Sequence, residues 1–310
     1  MRTIHSSDSH VGWDREIPPV AHVAAGDTLE FEALDASGGQ LGPEARAGDV
    51  TTLDFSLINP TTGPVAVEAA EPGDVLVVTI ESLTPSGGGW TALIPGFGLL
   101  AEDFPEPALH GWTYEPSLSA PAAYGTVARV PLRPFPGTMG VAPGAPGLHS
   151  VVPPRRVGGN MDVRDLAAGS VLRLPVEVPG ALFSVGDTHA AQGDGEVCGT
   201  AIESAMRVAL RFDLEKGVSL PAPQFETPGP VTRHLDGDGY WVTTGVGPDL
   251  MAGARDAVRA MIDGLVRRTG MAPEDAYMLC SVCADLRISE IVDAPNWVVS
   301  CYFPKLVLGG

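Results

Sequence analysis

The segment GDTHAAQGDGE, residues 186–196, follows the short apolar run of residues 181–185 and decides how this chain is interpreted. It places three acidic residues and one of the seven histidines of the chain within eleven positions. The apolar run predicts the end of a buried strand, and alternate side chains of a strand share one face. Asp187 and His189 should therefore project side by side, as half of a metal site or as an acid/base pair.

A tight turn is predicted immediately after this strand. Gly193, Asp194 and Gly195 favour it, because glycine tolerates positive φ. Such a turn can direct Glu196 back towards Asp187 and His189. The alternative interpretation is a solvated hairpin turn that is merely rich in acids.

Two further polar segments have a similar character. In GGNMD, residues 158–162, alternation places Asn160 and Asp162 on one side, and the paired glycines indicate backbone that passes close to another group. The segment NPTTGP, which begins at Asn59, is the third candidate. Each of these two segments, taken alone, is also compatible with an ordinary turn.

Taken together, these segments resemble the acetamidase/formamidase family of amide hydrolases. The similarity rests on five blocks, in chain order NPTTGPVAVEAAEPGDVLVVTI (59–80), MGVAP (139–143), GGNMD (158–162), GDTHAAQGDGEVCGTAIE (186–203) and LCSVCADLRISEIVD (279–293). Matches run from near residue 20 to near residue 304, so the resemblance covers nearly the whole chain. It implies an amidohydrolase that acts on linear amide C–N bonds and converts formamide- or acetamide-class amides to a carboxylate and ammonia.

The candidate site residues suit the chemistry that an amide requires. An unactivated amide needs its carbonyl polarised and its leaving nitrogen protonated, and Lys216 and Lys305 are the only lysines, so a catalytic lysine is not expected. A cluster of Asp, His, Asn and Glu instead favours metal-assisted hydrolysis. We assign these residues as follows: catalytic Glu196 (general base), His189 and Asp187; metal ligands Asp187, His189, Asn160 and Asp162; substrate contacts Asn59, Gln192 and Glu203. The expected cofactor is a divalent metal, zinc first and calcium as the alternative.

Two other functions remain open at this stage. One is a metal-dependent hydrolase of another C–N bond, such as an N-formyl amine or a cyclic amide. The other is a non-catalytic, β-rich protein that uses the same acidic turn to bind a metal or another ligand.

Composition predicts a compact, β-rich protein. The chain has 310 residues with 44% hydrophobic content, and its 38 glycines and 29 prolines indicate short strands joined by turns. We predict a mainly β fold with an α+β C-terminal part, in which β-sandwich or barrel-like sheets pack with one long and one short C-terminal helix. Residues 1–310 are expected to form a single unit, with a possible subdivision into a β-rich part, 1–135, and a site-bearing β/α part, 136–310.

Local patterns predict several individual elements. An apolar stripe predicts a long helix from Asp249 to Thr269, stopped by Gly270, and a short helix should begin at Pro273. Residues 84–124 lack a steady period and are expected to form an irregular pocket wall. Residues 200–213 alternate with period two and predict a strand. Glu203 could then either face the site or pair with Arg207.

Charge and cysteine usage limit the partners and the compartment. A net charge of −19 disfavours nucleic acids and anionic membranes as partners, while it does not steer a small neutral amide. No apolar run approaches twenty residues and no apolar signal segment opens the chain, so we expect a soluble cytoplasmic protein. We also expect a homo-oligomer, and first a dimer. Four cysteines are too few for a disulfide framework, and Cys280 and Cys283 are expected to be buried free thiols.

Overall fold

The computed structural model describes residues 1–309 and is built mainly from β-strands. The strands are β1 (Arg2–Ile4), β2 (Ser9–His10), β3 (Ala21–Val23), β4 (Thr28–Ala33), β5 (Thr61–Val67), β6 (Val75–Pro85), β7 (Gly88–Leu93), β8 (Ala108–Thr113), β9 (Ala122–Tyr124), β10 (Ala128–Val130), β11 (Phe135–Val141), β12 (Gly158–Asn160), β13 (Val171–Pro175), β14 (Phe183–His189), β15 (Met206–Glu215), β16 (Gln224–Glu226), β17 (Tyr240–Gly247), β18 (Asp285–Glu290) and β19 (Trp297–Pro304). The helices are α1 (Ala47–Val50), α2 (Leu250–Thr269) and α3 (Pro273–Cys283).

Two large sheets form the body of the protein. The first sheet has the strand order β1-β4-β15-β6-β13-β16, and the second has the order β12-β11-β14-β5-β2, with β3 also pairing with β5. Each sheet combines strands that are distant in the sequence. In the first sheet β15 lies between β4 and β6, and in the second β14 lies between β11 and β5. The strand that carries Asp187 and His189 is therefore central in its sheet.

The two large sheets pack face to face through aromatic side chains. Phe31 on β4 and Phe212 on β15 belong to the first sheet, and Phe183 on β14 belongs to the second. The ring of Phe183 lies 6.0 Å from that of Phe31 and 5.2 Å from that of Phe212, in edge-to-face geometry. This packing confirms the predicted sandwich of sheets; within residues 1–309 the sheets stay open and do not close into a barrel.

The C-terminal part adds helices and a third sheet, as predicted. Strands β17, β19 and β18 form a three-stranded sheet against which α2 packs. Asp249 caps α2 by accepting a hydrogen bond from the Ala252 backbone N–H at 2.7 Å, and Gly270 ends the helix with a φ of 72°. Helix α3 begins at Pro273, and residues 276–283 of that helix are all buried.

Two predictions about local structure were wrong in detail. Residues 84–124 contain the hairpin β7–β8 and the short strand β9 rather than one irregular loop. Strand β15 begins at Met206 and not near residue 200, because Glu203 instead makes isolated backbone bridges to Trp90 and His189. All four cysteines are free and buried, which confirms the expectation for Cys280 and Cys283. Within residues 1–309 there is no helix with the length and apolar character needed to cross a membrane.

Candidate active site

Strand β14 delivers an imidazole and a carboxylate to the same buried point. Asp187 and His189 are 3% and 0% exposed, and His189 Nε2 lies 3.2 Å from Asp187 Oδ1. Glu203, which is also buried, places its Oε2 atom 3.2 Å from the same nitrogen. Arg207, the other possible partner of Glu203, pairs with Glu32 instead. Glu203 therefore faces the site.

Gln192 fixes the protonation pattern of His189. Its Nε2 group donates to the backbone carbonyl of Asp162 at 2.8 Å, and since a carbonyl can only accept, the amide oxygen must be the atom that faces the imidazole. That oxygen lies 2.8 Å from His189 Nδ1, so Nδ1 carries a hydrogen and donates it. In the neutral imidazole, the lone pair is therefore on Nε2, which is directed towards the carboxylates.

The GGNMD segment brings a third carboxylate to this point. Strand β12 pairs with β11, which in turn pairs with β14, so Asn160 and Asp162 come next to Asp187. Asn160 donates to Asp162 Oδ2 at 2.8 Å. Its own oxygen already accepts from Thr138 Oγ1 at 2.6 Å and from Asn59 Nδ2 at 3.2 Å. In this arrangement Asn160 orients its acidic neighbours.

Asn59 and Glu196 complete the cluster from two other segments. Asn59 also donates to Asp187 Oδ2 at 3.2 Å, which ties residues before β5 to β14. The Gly193–Gly195 turn returns Glu196 to the site, where potential ligand atoms of His189, Glu196 and Glu203 lie within 4.8 Å of one another. Asp162, Asp187 and His189 form a second group with the same spacing. The two groups share His189.

The backbone is held in an unusual conformation at several of these residues. Asn59, Asp162, Asp187 and Glu196 have φ values of 47°, 50°, 50° and 43°. Non-glycine residues seldom adopt this left-handed region, and each such residue costs of order 1–3 kcal/mol unless its surroundings impose it. Such outliers concentrate at functional sites. Four of the eight non-glycine residues with positive φ in the described chain belong to the polar cluster, which makes it the candidate functional centre.

Burial and mutual repulsion raise the pKa values of three carboxyl groups, those of Asp162, Glu196 and Glu203. Burial, reinforced by the charge of Asp187, raises the pKa of Asp162 to about 8. Burial also raises the pKa of Glu203 to about 7, and burial together with Asp162 raises the pKa of Glu196 well above its ordinary value. Burial alone would lower the pKa of His189, but Glu203 and Asp187 outweigh it and raise that pKa well above 6.5.

The donor set fits a divalent cation. Two carboxylate oxygens, Asp162 Oδ1 and Glu203 Oε2, are buried and lack a well-directed hydrogen bond within residues 1–309. Such orphaned buried oxygens are costly unless a proton or a cation neutralises them. The cluster combines these oxygens with the imidazole of His189, whose Nδ1–H donates to the Gln192 amide oxygen. Metal-binding histidines usually have such a hydrogen bond from the nitrogen that does not bind the metal. Nitrogen and carboxylate oxygen ligands are those that zinc and similar ions accept.

The cluster opens into a cavity of about 430 Å³. Its floor contains six polar residues, namely Asn59, Asn160, Asp162, Asp187, Glu196 and Glu203. The indole of Trp90 stands beside this floor and donates to Asp35 Oδ1 at 3.1 Å. His189 and Gln192 are not among the residues found to line the cavity in the described part of the chain. Gln192 contacts the His189 imidazole and the backbone carbonyl of Asp162 instead.

Some contributors to the site were not singled out from the sequence. Thr138 donates to Asn160, and a Cβ added to Gly137 would lie 2.5 Å from Asp162 Oδ1 and 2.9 Å from His189 Cε1. Both residues directly precede the MGVAP block, which was the available signal. Ile94, Phe97 and Gly98 line the cavity, as expected for a pocket wall, whereas His110 is not among the lining residues and stacks on Tyr124 with ring centroids 3.9 Å apart.

Known proteins resemble this chain over almost its full length. The sequence profile described as the Acetamidase/Formamidase family matches residues 2–151 and 145–308. A formamidase of Methylophilus methylotrophus is 28% identical over 95% of this chain and 88% of that protein. The gamma lactamase from Delftia acidovorans superposes with a TM-score of 0.90 at 26% identity, covering 98% of this chain and 90% of that one. An acetamidase from Bacillus halodurans gives a TM-score of 0.69 at 33% identity, covering 97% and 96% of the two chains.

Proposed function

The chain belongs to the acetamidase/formamidase family, and from that premise we propose that its buried cluster hydrolyses small neutral amides to a carboxylate and ammonia, assisted by a divalent cation. The observation that carries the proposal is the position of His189. Its lone-pair nitrogen is directed at two carboxylates, Asp187 and Glu203, at 3.2 Å each. That arrangement needs a positive charge, which a proton or a cation on Nε2 would supply, and a cation there is also what metal-assisted amide hydrolysis uses.

Asp187 and His189 are the residues that would hold the cation, with Asp162 as the third ligand. Asn160 supports this set by donating to Asp162, and Gln192 supports it by accepting from His189 Nδ1. Zinc is our first assignment and calcium is the alternative. When bound, such a cation would polarise the amide carbonyl, and zinc would also lower the pKa of a water molecule to near 7.

Glu196 is proposed as the general base. The Gly193–Gly195 turn directs its carboxylate to within 4.8 Å of His189 and Glu203 ligand atoms. Its raised pKa suits a group that must both accept and release a proton near neutral pH. Glu196 would take a proton from the attacking water and deliver it to the departing nitrogen.

Asn59 and Glu203 are proposed to contact the amide group of the substrate. Both line the cavity floor, and Glu203 Oε2 has no competing hydrogen bond within the described chain. A carboxylate oxygen of Glu203 can accept from the amide N–H, and so can Oδ1 of Asn59, whose Nδ2 already donates to Asn160 and Asp187. Gln192, expected from the sequence to bind substrate, is proposed here as a positioning residue for His189.

A cyclic amide is the second candidate substrate. The specific observation is the TM-score of 0.90 with the gamma lactamase from Delftia acidovorans, against 0.69 with the Bacillus halodurans acetamidase. Ring opening of a lactam uses the same water attack, but the nitrogen stays in the product and no ammonia is released. The two candidates are therefore distinguished by the products.

We further propose that residues 1–310 act as one unit, as a homo-oligomer, and in the cytoplasm. Support for one unit comes from the alternation of early and late strands in both large sheets. The exposed side chains of Val246, Ile288 and Val292, on and next to the third sheet, favour association. Four free buried thiols agree with a reducing compartment. Light scattering on the purified protein tests the oligomeric state.

The decisive experiment combines metal analysis with product analysis. Purified protein should contain a stoichiometric divalent metal and release ammonia from formamide or acetamide, and chelation should abolish turnover until metal is restored. His189→Ala should lose both metal and turnover, whereas His149→Ala, whose ring lies against the Ala145 carbonyl outside the cluster, serves as the matched control. A metal-free protein with full activity would refute the metal-assisted mechanism. Turnover of a γ-lactam without any ammonia from linear amides would favour the second candidate.

A further inference from the structure

The cavity above the polar floor has an apolar wall. The wall side chains come from three separate segments and are Leu53, Phe55, Ile58, Ile94, Phe97 and Val152. Every carboxylate among the cavity-lining residues of the described chain belongs to the floor. A molecule bound here therefore meets both a polar, acidic surface and a hydrocarbon surface.

The size of the cavity exceeds what the smallest amides need. Acetamide has four heavy atoms and occupies roughly 100 Å³, about the share of three water molecules in the liquid. The cavity measures about 430 Å³. Roughly 300 Å³ would remain filled by water against hydrocarbon side chains, which is unfavourable. At the same share of roughly 25 Å³ per heavy atom, the remaining space could hold up to about twelve carbons, so it accepts a hydrocarbon group of roughly six carbons without crowding.

Two wall residues leave large apolar surface unprotected at the mouth. Phe55 and Phe97 are 55% and 46% exposed. The Phe97 ring reaches this position because residue 199 is glycine, where an added Cβ would lie 2.4 Å from Phe97 Cδ1. Isolated exposed phenylalanines are ordinary, but here they line the rim of one concave surface, which is typical of a binding groove.

Resting on the proposed function, we propose that the substrates of this enzyme are amides with an apolar acyl group of about five to seven carbons. The amide group lies on the acidic floor, and the hydrocarbon part lies against the wall formed by residues 53–58, 94–97 and 152. The apolar wall disfavours acyl groups that end in a carboxylate, because this charge would lose its water there. The apolar wall contacts the acyl group in both the ground state and the transition state. The preference for longer acyl groups should therefore appear in kcat/KM.

A homologous series of amides tests this specificity. For acetamide, butyramide and hexanamide, kcat/KM should rise by up to about fourfold for each methylene that becomes buried. Hexanamide should exceed acetamide by at least tenfold, and succinamate, which carries a carboxylate, should fall below butyramide. A flat or falling series in an enzyme that does hydrolyse acetamide would overturn this inference and leave the proposed function intact. If no amide in the series is hydrolysed, the proposed function itself fails.

A pair of phenylalanine variants assigns the preference to the wall. Phe55→Asn should lower the ratio of hexanamide to acetamide kcat/KM by threefold or more. Phe225→Asn is the matched control, because Phe225 is 42% exposed and lies on β16 at the edge of the first sheet, so its ratio should equal that of the unmodified enzyme. Thermal melting of both variants checks that the fold is retained. A Phe55→Asn enzyme with an unchanged ratio would overturn the inference.

Discussion

Gly193 provides a severe test of how the Glu196 turn is positioned. The Gly193 N–H donates to the Ser281 carbonyl at 2.8 Å, which fixes the turn against the end of α3. A Cβ added at this residue would lie 1.9 Å from the Ala284 carbonyl oxygen and 2.7 Å from both Ala284 C and N. Ordinary contact begins near 3.4 Å, so Gly193→Ala must displace main chain by more than 1 Å.

The cost of that displacement can be estimated for stability and for catalysis. Overpacking against fixed backbone typically costs about 1–3 kcal/mol. For 310 residues, an unfolding entropy of about 2.1 cal/mol/K per residue converts this cost to a Tm decrease of roughly 2–5 °C. A catalytic group misplaced by about 1 Å loses about 10²-fold in rate. We therefore expect a modest fall in Tm together with a kcat/KM on small amides reduced by about 100-fold.

The assay is differential scanning calorimetry together with ammonia release, with Gly237→Ala as the control. Gly237 has no heavy atom within 4 Å of an added Cβ, so this substitution should change neither quantity. Metal content of Gly193→Ala should stay near that of the unmodified protein, because Asp187 and His189 are held within β14, ahead of the turn, and Asp162 follows β12. A Gly193→Ala enzyme with kcat/KM within twofold and Tm within 1 °C of the original would refute the reasoning.

Two further predictions concern the acidic residues. Glu196→Gln should retain metal and fold but lower kcat by roughly 10²–10⁴-fold. Asp187→Asn should instead weaken metal retention and regain part of its activity when metal is added. If metal analysis shows that Glu196→Gln loses the metal and Asp187→Asn keeps it, the two roles are exchanged. Asp74, whose pKa is lowered to about 2 by Lys216 and by the Gly217 backbone N–H, stabilises the folded state only while it is ionised. Asp74→Asn should therefore lower Tm at pH 7. Since the folded pKa lies below the unfolded value of about 3.9, the difference in Tm between the variant and the original should shrink as pH falls from about 4 towards 2. A Tm difference that is constant over this range would contradict the assignment.

Elements with strong local signals were predictable from the sequence. The helix Leu250–Thr269 has both an apolar stripe and local end signals at Asp249 and Gly270, which do not depend on distant residues. Hairpin β7–β8 lacked such signals, because Trp90 to Leu93 are buried in succession and show no alternation. Its pairing depends on tertiary packing.

The candidate site shows the same division between local and distant information. Alternation along one strand placed Asp187 beside His189, and the structure brings their side chains within 3.2 Å. The roles of Gln192 and Thr138 depend on which strands become neighbours. Thr138 reaches Asn160 only because β11 lies between β12 and β14. A single sequence carries no signal for that order.

The interleaving of early and late strands has a consequence for synthesis on the ribosome. Strand β4 ends at Ala33, and the partner that joins it to β6 begins at Met206. At about 5–20 residues per second, this partner emerges roughly 10–35 s after β4. Throughout that interval the apolar faces of β4 and β6 have no completed sheet to join, so the nascent chain is exposed to aggregation and to chaperones. Yield in a heterologous host should therefore depend on translation rate and growth temperature, even for variants whose finished fold is fully stable.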